Sequence, residues 1–277
     1  MLHQMVSAIG SSSFPSLVAV PNAALWGHAS VSIALQLFSM RRLGSIDAQL
    51  EASRNAGFKI VECLQIHIHE PSIFRTMLDV RGLECTTLHV EYQFLIDNAG
   101  SILDACLIVG IRSVFVHDLR IQKVRDASQW ARAGSRLGIL AERFSGSGIE
   151  LGFHNGGDCF DLLKSGRSPI EELFRSDDSG LLKWQADIGW IRLSGADPIV
   201  WLRRLKSRLV AAHIKDVATS VTRGHEWTDV GDGILVLPLV IRSAVQEGAR
   251  LLVAEHDDPE HPERFANSAY LYLSRFT

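Results

Sequence analysis

Eight short apolar runs in this chain each end in a polar side chain that could bind a metal, move a proton or make a hydrogen bond: Gln36, Glu62, His89, His117, His154, Asp187, His213 and Glu255. Three of these matter most. Asp187, His213 and Glu255 close the last three runs and together offer two carboxylates and one imidazole. Such a mixed oxygen and nitrogen set suits a divalent ion such as Mn²⁺, Mg²⁺, Co²⁺ or Zn²⁺. Taken singly, a histidine at a strand end is more often a hydrogen-bonded structural residue, and an aspartate there is often a helix cap. Taken together at equivalent positions they point to a site, because burying several ionisable groups without a partner is costly.

The elements that would position these groups are legible as short continuous apolar runs, the mark of buried parallel strands, alternating with amphipathic segments. The runs are 31–38, 59–65, 84–90, 113–117, 150–154, 183–187, 209–213 and 250–255. Helices are expected at 45–56, from Pro71 to about Gly82, up to Gly110, and at 126–144, 169–175, 197–206, 237–246 and 262–276. Ser45 reads as an N-cap and Gly57 as a stop, while Asp197-Pro198 is a cap followed by proline at the first helical position. Eight such repeats predict a single (β/α)₈ TIM barrel of the α/β class, a parallel eight-stranded barrel with outer helices. A doubly wound open sheet is disfavoured because no G-x-G-x-x-G follows the first strand. In a barrel, residues that close the strands share one mouth, so distance in sequence ceases to matter.

Length and composition agree. At 277 residues the chain matches the roughly 250 that one such barrel takes, and 47% hydrophobic with 21% charged residues describes an ordinary globular protein. A barrel domain over 31–277 is expected, with 1–30 a flexible or surface-lying extension, since those thirty residues hold no Lys or Arg and are broken by Pro15 and Pro21. The formal net charge of −3 and the scattered Lys and Arg argue against nucleic acid as a partner. No stretch is apolar enough to span a bilayer. The four cysteines lie apart, with no C-x-x-C pair, and fit a reducing cytoplasm.

Five stretches carry a likeness to a known family: Gln36-Leu37-Phe38-Ser39-Met40-Arg41, Ala56-Gly57-Phe58-Lys59-Ile60-Val61-Glu62, His213-Ile214-Lys215-Asp216, Val230-Gly231-Asp232-Gly233 and Val253-Ala254-Glu255-His256-Asp257. In order and spacing the chain resembles the xylose isomerase-like TIM barrels, and more narrowly the sugar phosphate isomerase/epimerase group. The resemblance implies a divalent metal at the strand ends, held by Asp187, His213 and Glu255, with Glu62 and Lys215 lining the mouth. The fourth ligand is open. Many members read His-Asn-His-x-x-Glu after strand five, where this chain has His154-Asn155-Gly156-Gly157-Asp158-Cys159. Epimerases of the wider family end strand five in a glutamate, where His154 stands. His154, Asp158 or neither could complete the set.

The chemistry so implied is isomerisation or epimerisation of a sugar, keto-sugar or polyol through an enediolate, with Glu255 as base and His154 or Lys215 returning the proton. Glu62, His89, His117 and Trp190 are candidate substrate contacts, Trp227 a further apolar wall, and His67 and His69 are expected in a loop. The altered strand-five position weakens a two-base epimerase, so a metal-dependent lyase or dehydratase on a keto-sugar or polyol ketone is the nearest alternative. A barrel that only binds a ligand or partner, and abasic-site DNA repair, are further readings. An unphosphorylated substrate is preferred, since no P-loop or arginine clamp is seen. The chain could work alone or as a homo-oligomer.

Overall fold

The computed structural model describes residues 31–119, 126–218 and 226–277; the expectation for residues 1–30 lies outside them. Eight parallel strands close a barrel: β1 (Ser32–Gln36), β2 (Ile60–Leu64), β3 (Glu84–Glu91), β4 (Ser113–Asp118), β5 (Glu150–His154), β6 (Lys183–Asp187), β7 (Leu209–Ile214) and β10 (Leu251–Ala254). Around the barrel they run in chain order, and β10 closes on β1 through Ser32 opposite Leu251 and Leu35 opposite Ala254. β6, β7 and β10 are adjacent, as expected for the strands that carry Asp187, His213 and Glu255.

Helices α1 (Ile46–Ala56), α2 (Pro71–Asp79), α3 (Tyr92–Val109), α4 (Ala127–Ser145), α5 (Pro169–Arg175), α7 (Pro198–Arg204), α8 (Leu237–Gln246) and α9 (Pro262–Leu273) lie where the sequence puts them, within a few residues at each end. Ser45 Oγ accepts the Ala48 N–H and Gly57 ends α1 in the left-handed region, so both signals act as read. Three features go beyond the expectation. β1 stops at Gln36 and turns into a 3₁₀ segment, Leu37–Leu43. An extra helix, α6 (Ile188–Leu193), starts directly on Asp187. A small antiparallel pair, β8 (Asp216–Val217) with β9 (Trp227–Thr228), rises over the mouth. All are too short for periodicity to reveal.

Period-two alternation splits each strand between two cores. Leu35, Val61, Leu88, Val116, Phe153, Ala186, Ala212 and Leu252 pack outward with the helices. Ala34, Phe115, Ala211, Leu251 and Val253 form a separate cluster that fills the lumen. There the neighbours of Phe115 must be small: a Cβ on Gly152 would come within 2.7 Å of the Phe115 ring. The lumen-facing residues one step further along each strand are polar, and they form the floor of the site. All four cysteines, Cys63, Cys85, Cys106 and Cys159, are free and buried, as small hydrophobes.

Candidate active site

The polar layer is built on Glu62, which is wholly buried on β2. Its Oε1 accepts from Gln36 Nε2 at 2.7 Å and lies 2.6 Å from His213 Nε2 and 3.1 Å from His89 Nε2; its Oε2 accepts from Gln185 Nε2 at 2.6 Å. Burial alone would raise its carboxyl, but His89 and His213 beside it hold it well below the usual carboxylate range. Glu62 therefore stands under the mouth rather than on its lining, where the sequence reading had placed it. Gln185, which that reading passed over, joins Glu62 to His89 and His154 through an oxygen 2.5 Å and 3.0 Å from their nitrogens.

Above this floor, His154 from β5, Asp187 from β6, His213 from β7 and Glu255 just past β10 each present a ligand atom, all within 4.8 Å of one another. Asp158 is not in this group. His213 lies between two carboxylates, with Nδ1 2.6 Å from Glu255 Oε2. Burial opposes its charge, yet Glu62 and Glu255 raise its pKa to about 10. His154 goes the other way, pushed down to about 4 by burial and the nearby His213 charge. Asp187 divides its two oxygens: Oδ1 caps α6 by accepting the Trp190 N–H at 2.9 Å, while Oδ2 points into the cluster. Asp187 Oδ2 is buried and has no hydrogen-bond partner, although Lys215 Nζ lies 2.9 Å away and His154 Nε2 3.5 Å away. Asn155 braces it from behind, its Oδ1 accepting the Asp187 N–H and the Trp184 indole N–H.

Lys215 is almost fully buried, with its Nζ 2.9 Å from Glu255 Oε2 and 2.6 Å from Asp257 Oδ1. Burial would lower its pKa, but Asp187, Glu255 and Asp257 hold it well above the ordinary lysine value. The ammonium also faces the Trp227 ring at 4.9 Å, and Trp227 backs Trp190 edge-on. Gly189 makes room for this: a Cβ there would lie 2.6 Å from the Trp227 ring and 2.7 Å from Lys215 Cβ. Glu255 is held well below its usual pKa because Lys215 and His213 outweigh its burial. Asp257, by contrast, is raised to about 6 by burial.

The five stretches that carried the likeness all meet here. Asp216, next to Lys215, accepts the N–H groups of Gly231, Gly233 and Leu235 and so pins the glycine-rich loop. Ser39 Oγ accepts the His256 N–H, and Arg41 and Arg42 both reach Asp258. The mouth is a cavity of about 270 Å³ whose polar lining includes His89, His117, His154, Lys215, Glu255 and Asp257, with Phe38, Leu64 and Trp190 as apolar walls. His117 stacks on His89 with ring centroids 5.5 Å apart. His67 is not a loop residue but lies buried in a 3₁₀ turn, where its Nδ1 accepts the Leu64 N–H; His69 is exposed at the end of that turn. A larger hollow of about 760 Å³, near Arg112, Glu150 and Arg250, lies at the opposite end of the barrel and has no such cluster among the described residues.

No protein-family model matches the chain. Over 93% of its length it superposes on a sugar phosphate isomerase/epimerase from Parabacteroides distasonis, covering 99% of that chain, with a TM-score of 0.73 and 17% identity. The fold is that of the xylose isomerase-like barrels. The IOLI protein with a bound zinc atom is similar at a TM-score of 0.73 and 12% identity, over 89% of this chain and 98% of that one. A probable 3-DHS dehydratase, AsbF, of petrobactin synthesis in Bacillus anthracis aligns at a TM-score of 0.69 and 13% identity, over 88% and 99%. In sequence the chain is 23% identical over 269 residues to the rhizopine catabolism protein MocC of Rhizobium meliloti, covering 82% of this chain and 80% of that protein.

The donor set fits a divalent cation. Two imidazoles and two carboxylates converge in a buried pocket, and Asp187 Oδ2, paired with the Lys215 ammonium at 2.9 Å, keeps acceptor capacity facing the cluster. Among the described residues no helix is long and apolar enough to cross a membrane.

Proposed function

We propose that this chain is a divalent-metal-dependent isomerase or epimerase of a small, unphosphorylated sugar, keto-sugar or polyol, with His154, Asp187, His213 and Glu255 holding the ion. The observation that carries the reading is the convergence of four buried ligand atoms, from His154, Asp187, His213 and Glu255, within 4.8 Å of one another. When bound, a divalent ion supplies a Lewis acid for a substrate carbonyl and the hydroxyl beside it. The zinc in the similar IOLI structure supports the same assignment.

The chain's own groups divide the remaining work. Glu255 faces both the cavity and Lys215, so it is placed to take a proton from the carbon next to the carbonyl. Lys215 is an ammonium between Glu255 and Asp257, placed to donate hydrogen bonds to both and to a substrate oxygen, and to return a proton to substrate if it recovers one from Asp257. Asp257, with its pKa near 6, is the carboxyl there best matched to proton transfer near neutrality. His89 and His117 line one side and offer hydrogen bonds to substrate hydroxyls; Trp190 supplies a flat apolar wall for a sugar face. The cavity is smaller than the roughly 300–1,000 Å³ of pockets for drug-sized ligands, which favours a monosaccharide-sized substrate. Among the described residues no arginine lines it, and Lys215 is the cation of the lining. Four free buried thiols suit a reducing compartment such as the cytoplasm.

The same groups would serve elimination of water from a keto-sugar, and the similarity to a dehydratase favours that as second reading. Metal analysis of wild type beside Asp187→Ala, His213→Ala and Glu255→Ala tests the core claim. About one ion per wild-type chain is expected, lost in all three variants with folding retained; unchanged content would remove the reading. NMR of a candidate polyol ketone turned over in D₂O then separates the reactions, since isomerisation keeps the molecular formula and exchanges a carbon-bound proton, whereas elimination yields an unsaturated product.

A further inference from the structure

Gln185 lies two residues before Asp187 on β6, fully buried beneath His89 and His154 and off the cavity wall. The two ends of its amide are not interchangeable. One end is 2.6 Å from Glu62 Oε2; the other is 2.5 Å from His89 Nε2 and 3.0 Å from His154 Nδ1. Glu62 is a carboxylate already met by nitrogens from Gln36, His89 and His213, so it acts as an acceptor throughout. The amide end that faces it must then be the NH₂, and the end that faces the imidazoles must be the oxygen. An oxygen accepts only, so each ring nitrogen against it carries a hydrogen.

For His154 this settles which nitrogen is left to bind. With the hydrogen on Nδ1, the lone pair is on Nε2, the atom 3.5 Å from the buried Asp187 Oδ2. Two acceptors that close in a buried site repel one another unless a cation answers both, and Lys215 Nζ, 2.9 Å from Oδ2, answers the carboxylate alone. We propose that Gln185, oriented by Glu62, is a positioning residue that holds His154 in its Nδ1–H form, so that Nε2 and Asp187 Oδ2 face a divalent ion together. The ion-facing half of this rests on the metal-dependent reading above. It accounts for a histidine at the end of strand five: the ring needs a fixed acceptor behind it to serve as a ligand, and Gln185 is that acceptor.

Long-range ¹H–¹⁵N correlation spectra of the full chain labelled with ¹⁵N-histidine read the tautomer directly, with His154→Gln to assign the resonance. The wild type is expected to show the Nδ1–H pattern for His154, with and without Zn²⁺; an Nε2–H pattern would overturn the proposal. In Gln185→Leu the His154 signal should move toward the Nε2–H form, and Zn²⁺ affinity should fall about 10- to 100-fold while the far-ultraviolet circular dichroism is kept. A His154 still protonated at Nδ1 in that variant, or an unchanged affinity, would also overturn it. If Gln185→Leu does not fold, the wild-type spectrum decides by itself. A wild type that shows Nδ1–H but takes up no Zn²⁺ removes the metal-dependent reading and the ion-facing half, and leaves Gln185 as the residue that sets the tautomer.

Discussion

On the metal-dependent reading, His213 would tie ion binding to pH. Clamped between Glu62 and Glu255, its imidazole has its pKa raised to about 10 by the two carboxylates. An ion taken up beside Glu255 must displace the hydrogen on Nδ1, so each ion bound at pH 7 should release about one proton. Calorimetry with Co²⁺ in buffers of different ionisation enthalpy measures this directly, and affinity should rise about tenfold per pH unit from 6 to 8. Glu62 makes a second test. Glu62→Gln leaves the His213 imidazolium with Glu255 as its remaining carboxylate and puts an amide where four nitrogens point. A loss of about 3–5 kcal/mol in urea unfolding is expected, as for a buried ion pair deprived of one partner; a loss under about 1 kcal/mol would show that the floor is not held by this carboxylate.

At the scale of elements, the turn after β2 should carry its own acid sensitivity. His67 is buried, its Nδ1 occupied by the Leu64 N–H, and burial lowers its pKa to about 4. A histidine with a depressed pKa takes up more protons unfolded than folded, so its contribution is intact above about pH 6.5 and is lost as pH falls through 6.5 toward 4. The loss should approach 3 kcal/mol, at about 1.4 kcal/mol per pH unit, and His67→Asn should flatten that part of the stability curve. Gly189 on α6 gives a packing test. Gly189→Ala drives a methyl into Trp227 and Lys215, so a cost of about 1–3 kcal/mol is expected, together with a change in tryptophan emission. These elements also mark what the sequence shows and conceals. The eight strands and their polar ends are legible because burial on both faces writes continuous apolar runs, and Ser45, Gly57 and Asp197 cap helices as their chemistry directs. The 3₁₀ turn that buries His67 and the six-residue α6 leave no such trace. Gln185 is hidden for another reason: it sits inside an apolar run, and only the register that puts β5 beside β6, with His154 opposite Gln185, shows that its amide spans three strands. Asp257 closes the last quoted stretch, two residues past Glu255, and only the fold turns it back to Lys215.

For the whole molecule, the lumen is packed at one end and polar at the other, so ligand binding should stabilise the entire barrel. An ion present at one hundred times its dissociation constant should add about 2.7 kcal/mol, read as a higher melting temperature that EDTA reverses in wild type but not in Asp187→Ala. The ammonium of Lys215 and the imidazolium of His213 already answer the carboxylates of Asp187, Glu255, Asp257 and Glu62 from within the chain. On the metal-dependent reading, stripping the ion therefore still leaves a cation beside each of the four carboxylates, two cations shared among them, and the barrel should stay closed. Under that reading, in a cell short of metal such a protein would persist as a folded, idle reserve, ready to resume work when supply returns without new synthesis.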